Sequence, residues 1–362
     1  MARRLLPSMQ RQLFPLLCRL KHNHNITANP INELHIPVMA TEVIDYLKPE
    51  PGKIFIDMTF GAGGHTKRIL DHSPNTTVIT LDRDQESYEL AMDMKDDYPN
   101  RLIPMLGKFS ELPDLLKAHG YGFASIDGIL FDFGCSSMQF DQADRGFALS
   151  KNGPLDMRMD KDRIPGQPTA ADVLAKIDEE DLARILKIYG EEKCAKKIAR
   201  AIVDTRYSLR KIETTKELAD LVNSCFNDNL RLDKLQRHAH NATKTFLALR
   251  IFVNDELNEI NYGMLLAERF LKQNGRLVAI TFHSLEDLIV KRHLMGNLLG
   301  NVANPIPLRY SSHALVQELE VINELKESSW QQLNKHVLVP TTEEIERNPR
   351  SRSAKFRAAV KE

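Results

Sequence analysis

Apolar and polar positions alternate in two different rhythms along the chain. Up to about residue 132, short apolar runs are separated by amphipathic stretches; from about 141 to 240 amphipathic stretches follow one another directly; past Ala242 the first rhythm returns. His35–Met39 reads as extended, because a residue preceding proline is pushed out of the helical region. Thr41 is placed to cap a short helix over Glu42–Leu47, and the turn at 49–52 delivers an apolar strand over Ile54–Met58. A glycine-rich turn and a helix over Thr66–Leu70 follow. The pattern then predicts a strand over Thr77–Leu81, a helix to about Lys95, and a strand over Leu102–Leu106. A helix opened by Phe109-Ser110 runs through Ala118, and a fourth strand covers Ile126–Phe131. Strands alternating with helices at this spacing imply a parallel sheet covered on both faces, with ligands held at the carboxyl ends of its strands.

The middle of the chain breaks that rhythm. Residues 141–168 are rich in glycine and proline, and helices are predicted over Ala170–Lys176, Glu179–Tyr189, Glu191–Thr205 and Thr215–Cys225 with no strand between them. A helical insertion between strands of the sheet fits the switch. A long helix then covers Thr243–Leu257, and a second runs to about Gln273, where Asn274-Gly275 stops it. A strand over Arg276–Phe282 ends at His283-Ser284-Leu285-Glu286-Asp287; 296–335 reads as loop and weak helix, and Ser353–Val360 as a last strand.

Composition narrows the class. The 49 basic and 49 acidic residues cancel, which argues against a histone-like binder but leaves room for a local basic face. No apolar run approaches the roughly 20 residues of a membrane span, so no membrane partner is expected. Cys18, Cys135, Cys194 and Cys225 are far apart without CxxC spacing, which points to a reduced compartment and no structural zinc. Residues 1–32 contain no Asp or Glu, while Arg3, Arg4, Arg11, Arg19 and Lys21 interleave with leucines. That is the pattern of a mitochondrial transit peptide, with a disordered basic tail as the alternative; either way the segment stands outside the fold. Lys193, Lys196, Lys197 and Arg200, with Arg206, Arg210 and Lys211 just beyond, form a charge run in the insertion. It is either a solvated helix face or a track for RNA phosphates.

Candidate chemistry gathers at the strand ends. Gly61-Ala62-Gly63 supplies G-x-G after the first strand, where backbone N–H groups can approach a ligand, but the third glycine of a dinucleotide loop is replaced by Thr66. Asp82 lies 18 positions after Gly64 at the end of the second strand. It reads as an acceptor for ribose hydroxyls or as a helix cap. The two features together favour an adenosine-containing ligand, and the missing glycine makes S-adenosyl-L-methionine a better fit than NAD.

The blocks Thr59-Phe60-Gly61-Ala62-Gly63-Gly64-His65, Leu81-Asp82-Arg83-Asp84, Phe131-Asp132-Phe133-Gly134-Cys135-Ser136-Ser137, Arg145-Gly146-Phe147 and Gly153-Pro154-Leu155-Asp156-Met157-Arg158-Met159-Asp160 follow in order. Tyr189-Gly190-Glu191-Glu192, Thr281-Phe282-His283-Ser284-Leu285-Glu286-Asp287 and Asn348-Pro349-Arg350-Ser351-Arg352-Ser353 come after them. From about His35 to Arg357 the chain resembles the RsmH/MraW family of S-adenosylmethionine-dependent small-subunit rRNA methyltransferases. With its leader it is most similar to the mitochondrial branch. The resemblance implies an α/β fold, a Rossmann-like class I methyltransferase sheet with an inserted all-helical domain. Residues 33–140 and 241–362 would form a discontinuous cofactor-binding domain, 141–240 the RNA-recognition insertion, and 1–32 the leader. It also implies methylation of the exocyclic N4 of a cytidine in the decoding region, in mitochondrial small-subunit rRNA or the assembling subunit, in the matrix.

By the same resemblance, Gly63, Gly64 and His65 line the methionine and ribose end of the cofactor, Asp82 its ribose hydroxyls and Phe109 its adenine, with Asp132 and Gln139 completing the pocket. The chain departs from the family where Phe133, Cys135, Met138 and Phe140 interrupt the usual DLGVSSPQLD, and where His240-Asn241-Ala242-Thr243-Lys244 replaces H-P-A-T-R. Lys244 therefore lacks the guanidinium fork that grips phosphate bidentately. The D-P-P-Y tetrad of many amino-methyltransferases is absent, so Asp132 can serve the cofactor, the base or both. Ser136, Ser137 and His283 are the other catalytic candidates on the rim. A weakly catalytic ribosome-assembly factor using the same fold is the alternative function.

Overall fold

The computed structural model describes residues 36–161, 163–208, 211–226, 231–232, 238–295 and 330–362. The expected leader, His35, Arg210 and most of the stretch 296–335 lie outside them. The described core, from Ile36 onward, is built on a seven-stranded sheet.

Chain order runs α1 (Ala40–Leu47), β1 (Ile54–Asp57), α2 (Gly64–His72), β2 (Thr77–Asp82), α3 (Gln85–Met94), β3 (Leu102–Leu106), α4 (Leu112–Ala118) and β4 (Ile126–Asp132). A short α5 (Ser137–Asp141) leads to α6 (Ala170–Lys176), α7 (Glu179–Tyr189), α8 (Ala195–Tyr207) and α9 (Thr215–Ser224). A two-stranded ribbon, β5 (Arg231–Leu232) with β6 (His238–Ala239), precedes α10 (Thr243–Asn254) and α11 (Glu256–Phe270). The chain re-enters the sheet with β7 (Leu271–Thr281), then α12 (Ser284–Leu294), β8 (Trp330–Gln332) and β9 (Lys355–Lys361). The strand order is β3-β2-β1-β4-β7-β9-β8. β1 to β4 and β7 run parallel, whereas β9 is antiparallel to β7 and β8 to β9. This is the expected Rossmann-like sheet, with one reversed strand, β9, lying next to its edge. Its order turns back at β1 and β4, which puts the ligand crevice beyond their carboxyl ends.

Period-two alternation divides each strand between two cores. Phe55, Val78, Leu130, Val278, Ile280 and Phe356 pack with Val43 and Leu47 of α1 and Ile69 and Leu70 of α2. Ile56, Ile79, Ile129, Phe131 and Leu277 face the other way, onto Leu249 and Phe252 of α10 and Leu257 and Ile260 of α11. The same apolar cluster continues through Ile185 and Leu186 of α7, Ile198 and Ile202 of α8, and Leu218 and Val222 of α9. The helices between β4 and β7 thus share one core with a face of the sheet.

Several boundaries differ from expectation. Val38 and Met39 form a turn rather than extended chain, and Met39 (φ 50°) caps α1 by backbone, its N–H donating to Glu344 Oε1 at 2.6 Å; Thr41 lies inside the helix. The long helix from Thr243 stops at Asn254, because Asn254 turns its side chain onto the loop before α6, accepting from Met159 N at 2.7 Å and donating to Met157 O at 2.7 Å. Asp255 (φ 51°) then takes the left-handed position between α10 and α11. Asn274-Gly275 does not end a helix. The register jumps from Ile126↔Leu271 to Gly128↔Arg276, so 272–275 bulge out of β7 with Lys272 Nζ held on Asp127 Oδ2 at 2.8 Å. Trp330–Gln332, read as loop, is edge strand β8, which pairs only with β9 and is too short to show a period.

β9 is held from outside as well as by its ladder: Arg357 Nε donates to Asp287 Oδ1 at 2.7 Å and Lys355 Nζ to Oδ2 at 3.3 Å. Asp287 is accordingly held below the usual carboxylate range; burial works against this, and Arg357 and Lys355 outweigh it. Phe356 is fully buried between these tethers. Replacing it (Phe356→Ala) should lower unfolding free energy by about 3–5 kcal/mol, the cost of emptying a core aromatic site, read from the denaturant midpoint.

Candidate functional site

The carboxyl ends of β1, β2 and β4 carry Asp57, Asp82 and Asp132. Between β1 and α2 the backbone of Gly61 (φ 55°) and Gly63 (φ 80°) turns through the left-handed region. A Cβ on Gly63 would fall 2.5 Å from Met94 Cε and 2.7 Å from Phe60 Cζ, so the loop admits only glycine there. Asp82 Oδ2 accepts from Gly61 N at 2.8 Å and Oδ1 from Asp84 N at 2.9 Å. Each carboxylate oxygen therefore keeps an acceptor site for another donor. Burial pushes the Asp82 carboxyl up to about 6, against the pull of the two N–H donors and with Asp84 and Asp57 adding repulsion.

The cap of α3 is Asp84, which accepts from Glu86 N at 3.2 Å; Asp82 is not the cap. Asp84 is almost wholly buried and is gripped from two sides. Gln139 Nε2 donates to its Oδ2 at 2.7 Å, and Arg145 Nη1 stands 2.7 Å from the same oxygen. Gln139 also closes a capping box with Ser136 at the start of α5, so its amide is occupied by structure. Arg145, 1% exposed, donates through Nη2 to Met159 O at 3.0 Å. Next to it Arg83 reaches Asp160 and, at 2.9 Å, Asn254 O.

Asp132 ends β4, its backbone N–H donating to Thr59 Oγ1 at 2.7 Å. His65 Nε2 lies 3.6 Å from Asp132 Oδ2. Both ring nitrogens of His65 and Asp132 Oδ1 are buried without a hydrogen-bond partner among the described residues. Asp57 is fully buried beneath them, accepting from Thr66 Oγ1 at 2.7 Å and Thr59 N at 3.1 Å, and burial raises its carboxyl above the ordinary value. Phe109 opens a 3₁₀ turn after β3 and packs edge-on against Phe131 at 5.5 Å and Phe133 at 6.1 Å. Its neighbour Ser110 is fixed to Glu259 by Oγ at 2.9 Å.

Ser136 faces Gly61, whose Cβ position lies 3.8 Å from Ser136 Cβ, and Ser137 begins α5. On the β7 side, His283 Nε2 stands 2.9 Å from Glu286 Oε1. Glu286 is fully buried, accepts from Phe282 N at 2.7 Å, and is held below the usual range; burial opposes this, and His283 and Arg250 overcome it. Arg250 Nε and Nη2 pair with both oxygens of Glu256 at 2.8 Å. Glu256, His283 and Glu286 have ligand-like spacing, but the Arg250 guanidinium already supplies the positive charge between the carboxylates. Burial raises the Cys135 thiol to about 12, so it is uncharged at neutral pH.

A model of the MraW methylase family matches residues 32–362. The chain belongs to that family. It is 62% identical over 327 residues to a protein of Culex quinquefasciatus named as a receptor-type tyrosine-protein phosphatase, covering 90% of this chain but only 22% of that protein's length. It is 56% identical to a Drosophila melanogaster methyltransferase-like protein 15 homolog, covering 98% of this chain and 99% of the relative. It is 48% identical to the Homo sapiens 12S rRNA N(4)-cytidine methyltransferase METTL15, over 91% of this chain and 83% of the relative.

This MraW-family chain distributes its basic residues unequally. Lys193 just before α8, Lys196, Lys197 and Arg200 on it, and Lys211 beyond it are exposed, Arg200 lying 3.9 Å from Asp204. Lys197 Nζ donates to Cys225 O at 2.6 Å, Arg206 Nη1 to Ile177 O at 2.8 Å, and Lys244 Nζ to Glu191 O at 2.8 Å. Arg206 thereby closes the end of α6. Glu191, exposed, has φ 47° where the turn after α7 ordinarily takes glycine, a backbone cost on the order of 1 kcal/mol. The glycine stands one place earlier: a Cβ on Gly190 would meet Lys244 O at 2.5 Å.

Sequence reasoning missed Asp57, Asp84 and the buried role of Arg145. An arginine followed by glycine and an aromatic residue in a turn-rich stretch was the available signal. Replacing Arg145 with Met leaves the Asp84 carboxylate buried without its cation. It should cost about 3–5 kcal/mol of stability, measured by urea denaturation, with Arg145→Lys intermediate.

Proposed function

We propose that this chain methylates the exocyclic N4 of a cytidine in mitochondrial small-subunit (12S) rRNA, in the matrix, and that it acts on the rRNA or the assembling subunit. The observation that carries the reading is the gathering of Asp57, Asp82 and Asp132 at strand ends beside the glycine loop, in a chain so similar, over most of its length, to a relative named for that activity. The acid-free stretch 1–32, with five basic residues, supports mitochondrial import. S-adenosyl-L-methionine is the methyl donor. The residues fit it: among the described residues His65 and Asp132 keep buried polar atoms without a hydrogen-bond partner, and Asp82 keeps acceptor sites on both oxygens.

In this reading Gly61, Gly63, Gly64 and His65 line the methionine and ribose end, and Asp82 takes the ribose hydroxyls. Phe109 flanks the adenine. Gln139 acts indirectly, by holding Asp84. Residues 33–140 and 241–362 form the cofactor-binding part, and 141–240 present the RNA through Lys193, Lys196, Arg200 and Lys211. Arg206, Lys197 and Lys244 serve mainly to hold the insertion together.

The donor supplies an electrophilic methyl group; the cytosine amino nitrogen is a weak nucleophile because its lone pair is delocalised into the ring. Rate therefore depends on alignment and on an acceptor for the amino hydrogens as positive charge develops. Asp132 would serve as that acceptor through its unpartnered Oδ1, with the His65 ring 3.6 Å from its other oxygen. The base must leave its stack to reach the crevice. Ser136 and Ser137 shape the wall opposite Gly61, and His283 the β7 side.

Deleting the gene and measuring N4-methylcytidine in mitochondrial small-subunit rRNA by mass spectrometry tests the reading. Loss of the mark, restored by wild type but not by Asp132→Ala, is expected. An unchanged mark rejects it, and rescue by a variant that does not bind the donor favours a pure assembly role. The cofactor should also report on Asp82. Ribose hydroxyls donate best to the ionised carboxylate, which is lost as pH falls through about 6. Donor Kd should rise about tenfold per pH unit below that point, and Asp82→Asn should bind weakly with no such dependence, by calorimetry.

A further inference from the structure

Three separated blocks of sequence meet at Glu191. Its carboxylate Oε1 accepts from Ser284 Oγ at 2.7 Å, beside His283 at the end of β7. Its carbonyl receives the amine of Lys244, from the start of α10, at 2.8 Å. Behind it, Glu192 N donates to Leu186 O at 3.1 Å, while Glu191 itself takes the left-handed φ that the end of a helix ordinarily gives to glycine. The chain has a glycine one residue away and still keeps a side chain at the left-handed position. A single exposed hydrogen bond to Ser284 does little more than offset that backbone cost, so stability alone does not account for the residue.

The place of Glu191 is more telling than its strain. β7 runs beside β4, with Ile280 paired to Asp132 and the Gly134 Cβ position only 3.8 Å from the Phe282 ring. Ser284 is two residues past Phe282, so Glu191 sits at the rim of the crevice that holds Asp132. On its other side, Lys193, Lys196 and Arg200 begin the exposed basic face of α8. An exposed carboxylate between a phosphate-binding face and a base-accepting crevice repels a polyanion unless it meets a hydrogen donor. The donors that RNA bases offer are amino and imino groups, and a carboxylate is the usual acceptor for the cytosine amino group.

We propose that Glu191 is a specificity-determining residue: with Ser284 fixing one oxygen, the other accepts a hydrogen bond from the exocyclic amino group of the target cytosine as it enters the crevice. The proposal rests on the rRNA reading above. Uracil presents a carbonyl oxygen at that position, which a carboxylate repels. The same contact therefore selects cytidine before any chemistry occurs.

The test compares binding of two fragments of small-subunit rRNA, identical except for cytidine or uridine at the methylated position, to the full chain saturated with S-adenosylhomocysteine. Wild type should bind the cytidine fragment about tenfold more tightly. Glu191→Ala should bring the cytidine fragment down to the uridine level, with donor affinity unchanged, and Glu191→Gln should retain part of the preference through its amide oxygen. Glu191→Gly, which suits the left-handed backbone, should fold at least as well as wild type and still lose the preference. Equal weakening of both fragments in Glu191→Ala, or an intact preference in Glu191→Gly, overturns the proposal while leaving rRNA methylation standing. Failure of wild type to methylate the cytidine fragment when S-adenosylmethionine replaces S-adenosylhomocysteine instead overturns the underlying reading, and the role of Glu191 with it.

Discussion

A buried carboxylate must find partners, and the arrangement of this molecule around its crevice follows from how Asp84 finds them. Its side chain caps α3, receives the amide of Gln139 from the segment after β4, and pairs with Arg145 from the start of the insertion. Removing any one partner leaves the others facing a charge in a dry site, which costs several kcal/mol. Three segments distant in sequence are thereby forced into one register. Asp84 also donates its backbone N–H to Asp82, so the same node aims the carboxylate that the crevice presents to a ligand. The aim of Asp82 is a consequence of how the insertion begins.

Arginine and lysine divide the work. Arg83, Arg145, Arg163 and Arg250 lie inside, each within reach of a carboxylate that is buried or nearly so. A planar guanidinium satisfies a buried acid with several directed hydrogen bonds, which an ammonium does not. Lysines are left for the surface, where Lys193 and Lys196 stand with Arg200. The neutral total charge therefore conceals an interior in which charge is matched locally and an α8 surface that is positive.

The sheet, its strand ends and the helical run between β4 and β7 were legible because period-two and amphipathic patterns survive wherever one face is buried. Boundaries failed where a tertiary contact overrode local preference: Asn254 ending α10 by reaching to Met157, or Lys272 drawing a bulge out of β7 toward Asp127. The glycine loop, Asp82 and Asp132 were readable from spacing. Arg145 and Asp57 were not, since nothing in a linear sequence says that a polar residue will be enclosed. The basic run shows the converse: Arg206 and Lys244 are indistinguishable in sequence from the exposed Lys193, yet their charges are spent on carbonyls.

The acids at the strand ends also explain the missing third glycine. Asp57 and Asp82 both have carboxyls raised chiefly by burial, with Asp132 adding to the first and Asp84 to the second. Such a crevice lacks the three-glycine loop with which a dinucleotide site holds pyrophosphate. It suits a cation. A sulfonium bound in the crevice would ease their repulsion and favour their ionised forms, so donor binding would be linked to proton release. After methyl transfer the sulfur is neutral and that relief is gone.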